Sequence, residues 1–367
     1  MLNDSAPAGF VDAPTVIAGS VAAAAAATSL SAMSSDHSNS VVSTLVEAKT
    51  KALQIASVAI YSSLLYINSF VLAVLLYNWR LTWPFFVVYC GWAYLFDSGT
   101  PFTGGTDRMR FFRDWSFWNY FGQYFDAELV KTAELDPTKN YLFGYHPHGI
   151  YCYGLLPNFI SNYSNFSGQF PGIKIRMTTL DVNYVIPLWR EISMALGVVS
   201  VGAKSLKHIL SRKGPGWSAM VVIGGADEAL LAYPGTSDLI LNQRKGFVKI
   251  AVQTGAALVP VFTFGENDLY WQVTETNAPE IRKVQKRVAK ILTFSIPLMW
   301  GSFGLFPRKT RLVSVVGAPI HIKKQDNPSR EYIAEIHQQY VDALLKLYND
   351  HKDRYAVDRT RDLRIVR

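Results

Sequence analysis

Two cysteines in 367 residues, Cys90 and Cys152, leave no disulfide framework to carry the fold. One lies in an apolar run and the other beside a pair of histidines, so a reducing, cytosol-facing body is expected. The first forty residues contain no lysine or arginine. A secretory signal or an organellar transit peptide needs positive charge, and neither is supported. Familiar catalytic signatures are missing as well: there is no Gly-x-Ser-x-Gly elbow, no Walker A loop and no His-Glu-x-x-His. Gly214-Pro215-Gly216 imitates a dinucleotide fingerprint but precedes its strand, which excludes it. Five histidines (His37, His208, His321, His337 and His351) are scattered, and no second Cys/His cluster accompanies Cys152. No metal site is therefore expected.

Formal charge is absent from Ala52 to Trp79, a run of 28 residues. As a helix it exceeds the roughly 30 Å thickness of a bilayer's hydrocarbon core. Arg80 follows, then sixteen uncharged residues, Leu81–Phe96, interrupted by Pro84 and closed by Asp97. The pair reads as an N-terminal membrane hairpin at 49–97. Lys49 and Lys51 precede it; Arg108, Arg110 and Arg113 follow it, which puts both flanks on the cytosolic side. A pair of buried core helices is the alternative. The arm at 1–48, with alanine from Ala22 to Ala27, is rich in Ala and Ser and reads as disordered or weakly structured. Residues 98–140 form an amphipathic connector whose aromatic patch, Phe111 to Trp118, suits a lipid interface.

The net charge of +8 points to anionic partners. With 9 Trp, 19 Tyr and 21 Phe, a membrane surface is favoured over a nucleic acid as that partner. From Tyr141 the chain alternates strand and helix patterns. Strands are predicted at Ile173–Thr179, Gly197–Val201, Ser218–Ile223, Ala257–Phe264 and Arg311–Val316. Helices are predicted at Tyr151–Tyr163, Pro187–Leu196, Ser205–Ser211, Gly246–Thr254, Glu280–Lys290 and Pro328–Tyr348. Such alternation argues an α/β domain, here 141–355, with a mostly parallel sheet flanked by helices. A basic tail, 356–367, closes the chain. Ile291–Pro307 is seventeen uncharged residues broken by Pro297, Gly301 and Gly304. It reads either as an interfacial lid or as a core loop.

In such sheets ligands bind beyond the carboxyl ends of strands. Tyr141-Leu142-Phe143 runs into Gly144-Tyr145-His146-Pro147-His148-Gly149. Pro147 biases His146 towards extended geometry, so His146 and His148 are expected to leave the turn together. Gly149 leaves the backbone open to a substrate. Imidazoles suit proton transfer near neutral pH; structural histidines are the alternative. Two further strand ends carry acids: Gly224-Gly225-Ala226-Asp227-Glu228 and Gly265-Glu266. Glu228 reads as a carboxylate that orients a histidine, or as a helix N-terminal acid. Arg244-Lys245-Gly246-Phe247-Val248-Lys249 reads as a phosphate site at a helix start, or as a solvated basic face.

Those three motifs, with Phe264-Gly265-Glu266-Asn267 and Asp350-His351-Lys352, resemble the type-2 diacylglycerol acyltransferases and their monoacylglycerol and wax-ester relatives. The resemblance covers roughly Leu53 to Tyr355. It implies a glycerophosphate-acyltransferase-like fold and an enzyme that esterifies diacylglycerol with an acyl group from acyl-CoA. Acyl-CoA is a co-substrate and no cofactor is implied. It also implies an endoplasmic-reticulum membrane protein with both termini cytosolic, found on lipid droplets, with the lipid bilayer as partner, no nucleic acid, and a homo-oligomer left open. The glycerophosphate enzymes place an Asp five positions after a His. Here those positions are Tyr151 and Tyr153, and Glu228 matches the family's acid. Phe70-Val71-Leu72-Ala73 departs from a lipid motif of some members, so no role passes to it. The expected site is then His148 as general base, His146 and Glu228 beside it, Pro147 and Gly149 in the turn and oxyanion site, and Arg244, Lys245, Gly246 and Lys249 on the CoA phosphates. A non-enzymatic lipid-binding protein is the rival reading.

Overall fold

The computed structural model describes residues 15–273, 278–292 and 298–366. It divides into two units, Met1–Leu53 and Gln54–Arg367. In the first, the backbone from Thr15 on is helical, part of helix α1 (Thr15–Tyr77). This takes in most of the arm that composition assigned to disorder; alanine is the strongest helix former, which favours the helical state. Glu47 and Lys51 pair across one turn at 2.7 Å on its exposed surface.

The second unit is built on a seven-stranded sheet. Its strands are β1 (Glu128–Lys131), β2 (Tyr141–His146), β3 (Lys174–Thr179), β4 (Val198–Ser200), β5 (Trp217–Val222), β6 (Ala257–Phe264) and β7 (Val313–Val316). Their spatial order is β1-β7-β6-β2-β5-β3-β4. All pairings are parallel except β7 with β6. The α/β class and the parallel-rich sheet are as expected; β1, inside the connector, and the reversed β7 were not.

Strand β2 sits at the centre and is buried along its whole length. Its side chains alternate between two cores, as the two-residue period of a strand requires. Leu142 packs with the helices α5 (Ala203–Arg212), α7 (Gly246–Thr254) and α9 (Arg330–Tyr355). Tyr141, Phe143 and Tyr145 face the opposite way, onto Phe159, Phe166 and Phe170. Further helices are α2 (Trp79–Gly91), α3 (Phe117–Tyr124), α4 (Trp189–Ala195), α6 (Gly225–Ala229) and α8 (Pro279–Leu292), besides a single turn at Phe166–Gln169.

The segment expected as a helix at Tyr151–Tyr163 is irregular, with a single π-turn at Leu156–Ile160. The cause is a competing acceptor. The amides of Tyr153 and Gly154 donate to the Glu266 carboxylate, at 2.7 and 2.9 Å, and not to helical carbonyls. The tail is also tied down: Arg364–Ile365 pairs with Asp238–Leu239, and Asp238 holds both Arg361 and Arg364.

Among the described residues one helix, Val42–Tyr77, is long and apolar enough to cross a membrane. Helix α2 follows after the single residue Asn78 and contains Pro84 without ending there. The hydroxyl of Thr82 donates to Leu75 O across this break, at 2.6 Å. Phe70, Tyr77, Leu81, Phe85, Val88, Leu95 and Phe96 are exposed, Tyr77 by 90%. An uncovered apolar surface of this kind fits membrane association. Helix α1 also reaches the body: Val58 is fully buried against Trp118 and Phe121, and Ser62 bonds the Tyr153 hydroxyl at 2.8 Å. In the Ile291–Pro307 stretch, residues 293–297 lie outside the described residues. Met299–Trp300 forms a two-stranded antiparallel ribbon with Trp271–Gln272, and Leu298, Trp300, Phe303 and Leu305 are exposed.

Candidate active site

The loop after β2 is held between two buried carboxylates. Glu228, on α6, accepts the amide of His148 with one oxygen and that of Ile240 with the other, both at 2.7 Å. Glu266 follows β6. It accepts the amides of Tyr153 and Gly154 and the hydroxyl of Tyr145, the last at 2.8 Å. Burial pushes both carboxyl groups up to about 7, while their amide bonds favour the charged form. Two glycines make room for this clamp. A β-carbon on Gly149, whose φ is +58°, would lie 2.6 Å from Glu266 Cγ, and one on Gly224 would overlap the Glu228 carboxylate.

His146 ends β2, fully buried, and its bond to Pro147 is cis. Its Nε2 lies 3.0 Å from the hydroxyl of Tyr340, on α9. Its Nδ1 is buried without a partner among the described residues. Burial depresses its pKa to about 3, so it is neutral at physiological pH. His148 is only half-buried. Its Nδ1 lies 3.0 Å from the carbonyl of Gly149. A carbonyl only accepts, so Nδ1 carries the proton and Nε2 is left with a free lone pair. Burial lowers the His148 pKa too. A neutral imidazole with one nitrogen tied and the other bare is the form a general base needs. The Cys152 thiol donates to His148 O at 3.0 Å, and burial raises its pKa well above the ordinary range.

Arg244 reaches over the turn that leads to Glu228. Its guanidinium donates to Gly224 O at 3.3 Å and lies 3.8 Å from Asp227. Lys245 caps α7, Gly246 begins it, and Lys249 is exposed on its first turn. The structure thus gathers His146, Pro147, His148, Gly149, Glu228 and Arg244 around one loop, with Lys245, Gly246 and Lys249 continuing along a helix start. A cavity of about 530 Å³ opens beside Pro147 and Glu266 and is lined also by Phe262, Phe264, Arg308 and Lys309. Among the described residues no group of three or more His, Cys, Asp or Glu side chains is placed to hold a metal ion.

One relationship differs from expectation. Glu228 meets the main chain of His148, not its ring, so it sets the loop and not the tautomer. From the sequence, Glu266 reads only as a strand-end acid. Its position, immediately after a strand and a glycine like the Gly224–Glu228 segment, was the available signal. Tyr340 gave no signal at all.

A family model described as Diacylglycerol acyltransferase matches residues 74–366. The 2-acylglycerol O-acyltransferase 1 of Bos taurus is 43% identical over 77% of this chain and 85% of its own length. Diacylglycerol O-acyltransferase 2A of Umbelopsis ramanniana is 40% identical over 86% of this chain and 91% of its own. A solved structure, the 1-acyl-sn-glycerophosphate acyltransferase PlsC of Thermotoga maritima, covers 77% of this chain and 95% of its own at 13% identity and a TM-score of 0.35.

Proposed function

From its membership of the diacylglycerol acyltransferase family, matched over residues 74–366, we propose that this enzyme moves an acyl group from acyl-CoA to the free hydroxyl of diacylglycerol, forming triacylglycerol. The observation that carries the mechanism is the His148 tautomer. With Nδ1–H donated to Gly149 O, Nε2 is the free acceptor. It takes the proton of the diacylglycerol hydroxyl as that oxygen attacks the thioester carbonyl. The tetrahedral oxyanion rests on main-chain N–H groups near Gly149. The C–S bond then breaks, and the proton held by His148 passes to the departing CoA sulfur. General-base help of this kind is worth on the order of 10²–10⁴ in rate.

Glu228 and Glu266 hold the loop through its amides, and His146 anchors the turn. Arg244, Lys245, Gly246 and Lys249 meet the CoA phosphates; a helix start with added cations suits them. The Cys152 thiol is kept protonated, which favours direct transfer in a ternary complex over an acyl-enzyme. The proposed step draws on no metal or cofactor. The glycerophosphate-acyltransferase-like arrangement of the sheet belongs to the same reading.

The proposal seats α1 and α2 in the endoplasmic-reticulum membrane, and on lipid droplets, as a hairpin with both termini in the cytosol. The exposed apolar side chains of both helices and of Leu298–Leu305 support such a seat, the latter as an interfacial lid. Diacylglycerol would then reach the site from the bilayer. A homo-oligomer is compatible with this seat.

One observation favours a second reading of the acceptor: the 43% identical relative from Bos taurus bears the name of a 2-acylglycerol O-acyltransferase. Membranes expressing the chain, given labelled acyl-CoA and separately diacylglycerol, monoacylglycerol or a fatty alcohol, decide between them. Triacylglycerol from diacylglycerol, lost in His148→Ala, is the expected result. Product only from another acceptor replaces the substrate, and no product from any acceptor overturns the enzymatic reading in favour of a lipid-binding protein.

A further inference from the structure

Away from the His148 loop, at the starting ends of β3, β4 and β5, lies a second concentration of charge. Arg113 and Arg176 both donate to one oxygen of Asp107, at 2.7 and 2.8 Å. Their other terminal nitrogens converge on Gly197: a β-carbon there would sit 3.0 Å from Arg113 Nη1 and 3.3 Å from Arg176 Nη1. Lys213 reaches in from the end of α5, its Nζ 3.3 Å from Gly104 O and 4.2 Å from the centre of the Trp217 ring. Arg176 and Lys174 lie over the same ring at 5.3 and 5.6 Å. Four cations are thus gathered with Asp107 as the carboxylate that Arg113 and Arg176 share. Arg113 Nε is buried and has no partner among the described residues.

Concentrating like charge at partly buried positions is costly unless an anion completes it. Burial lowers the pKa of Arg113 and of Lys213, and the neighbouring Arg176 lowers both further. The location says which anion. Asp107 and Arg113 belong to the connector that leaves the apolar segment at Asp97. Beside them Phe111 is 64% exposed and Trp115 56% exposed. Aromatic side chains flanking cations, just outside an apolar segment, are the chemistry of the headgroup layer.

We propose that Arg113, Arg176 and Lys213, over the Trp217 ring, form a site for the phosphate of an anionic lipid headgroup, a phosphate monoester such as that of phosphatidic acid being the best match. Such a group carries close to two negative charges and several strong acceptor oxygens. Arg176 Nε is held by Gly104 O at 3.1 Å, so the Nη1 groups of Arg113 and Arg176 and the Lys213 ammonium would neutralise it where Asp107 alone does not. The site is separate from the acyl-transfer loop and would set the depth and tilt of the body on the bilayer. It rests on the membrane seat proposed above, and the test separates the two.

The full chain, purified in detergent, is titrated with fluorescent phosphatidic acid and with phosphatidylcholine bearing the same chains. The same protein is also floated on pure phosphatidylcholine vesicles. Phosphatidic acid should bind tighter by roughly tenfold, the scale of one charge-assisted contact. Lys213→Ala should remove that preference and Lys213→Arg restore it, with acyl transfer and flotation retained in both. Lys213 is partly exposed, so its replacement tests the site without the folding risk of the buried Arg176. Equal binding of the two lipids with no rise in melting temperature on adding inorganic phosphate, or a preference untouched by Lys213→Ala, overturns the site. Equal binding of the two lipids with a melting temperature raised by inorganic phosphate, and not raised in Lys213→Ala, overturns the lipid as its source. Failure to float on phosphatidylcholine overturns the membrane seat itself.

Discussion

The hydroxyl of Tyr340, on the last long helix, stands 3.0 Å from His146 Nε2 and 3.2 Å from the carbonyl of Gly144. A hydroxyl has one proton to give. If it donates to Gly144 O, then His146 Nε2–H donates to it, and the buried Nδ1 is a bare lone pair. The opposite tautomer would bury an orphaned N–H, the costlier arrangement. Tyr340 thereby fixes His146 in one state and ties α9 to the end of β2.

Tyr340→Phe should leave that N–H unpaired at a cost of about 1–3 kcal/mol. Thermal unfolding in detergent should shift down, and kcat should fall more than the Michaelis constants rise. An unchanged melting temperature together with an unchanged kcat would remove the anchoring role.

His148→Ala should lower kcat by roughly 10²-fold or more while the protein still floats with vesicles. His146→Ala should instead act through stability, because His146 is fully buried and neutral. Comparing melting curves and rates for the two variants distinguishes a base from an anchor.

Glu228 accepts a main-chain amide with each oxygen, so the amide group of Glu228→Gln would meet an N–H donor. A loss of about 1–3 kcal/mol is expected, with slower turnover and little change in acyl-CoA affinity. Wild-type turnover with intact stability in this variant would show that the loop does not depend on the carboxylate.

Acidity should act in two opposing ways. The folded pKa of Glu228 and of Glu266 is raised from 4.5 to about 7, so the native state holds extra protons between those values. Their stability contribution is present below about 4.5 and lost as pH rises towards about 7. The charged form, which the loop amides favour, gains over the same interval. Turnover should therefore rise through pH 7, above the range in which His148 loses its proton, because its pKa is lowered. A rate profile with its acid limb well below 6.5 would assign the limb to His148 instead.

Arg244→Ala should chiefly raise the Michaelis constant for acyl-CoA. Its side chain is about half exposed, so solvent screens the contact and a several-fold effect is expected. A fall in kcat alone, at unchanged acyl-CoA affinity, would move Arg244 from the phosphates to the Glu228 turn that it touches.

Much of this protein was already determined by its sequence. Local pattern decided that Gly246–Thr254 is a helix and Ala257–Phe264 a strand, because a short apolar run between turn signals has few alternatives. The uncharged run from Ala52 predicted a membrane-length helix from composition, and the helix long and apolar enough to cross a membrane is Val42–Tyr77. The strand-end glycines and histidines marked the loop that the structure holds between Glu228 and Glu266. Tertiary structure decided the rest. Which amide a carboxylate meets is not written in its neighbours, since every residue but proline offers the same N–H; so Glu266 replaced a helix at Tyr151–Tyr163 with a clamp, and Glu228 took the backbone of His148 in place of its ring. The reversed strand β7 and the Tyr340–His146 pair, 194 residues apart, depend on packing across the sheet, where hydrophobic periodicity reports a face but never the partner.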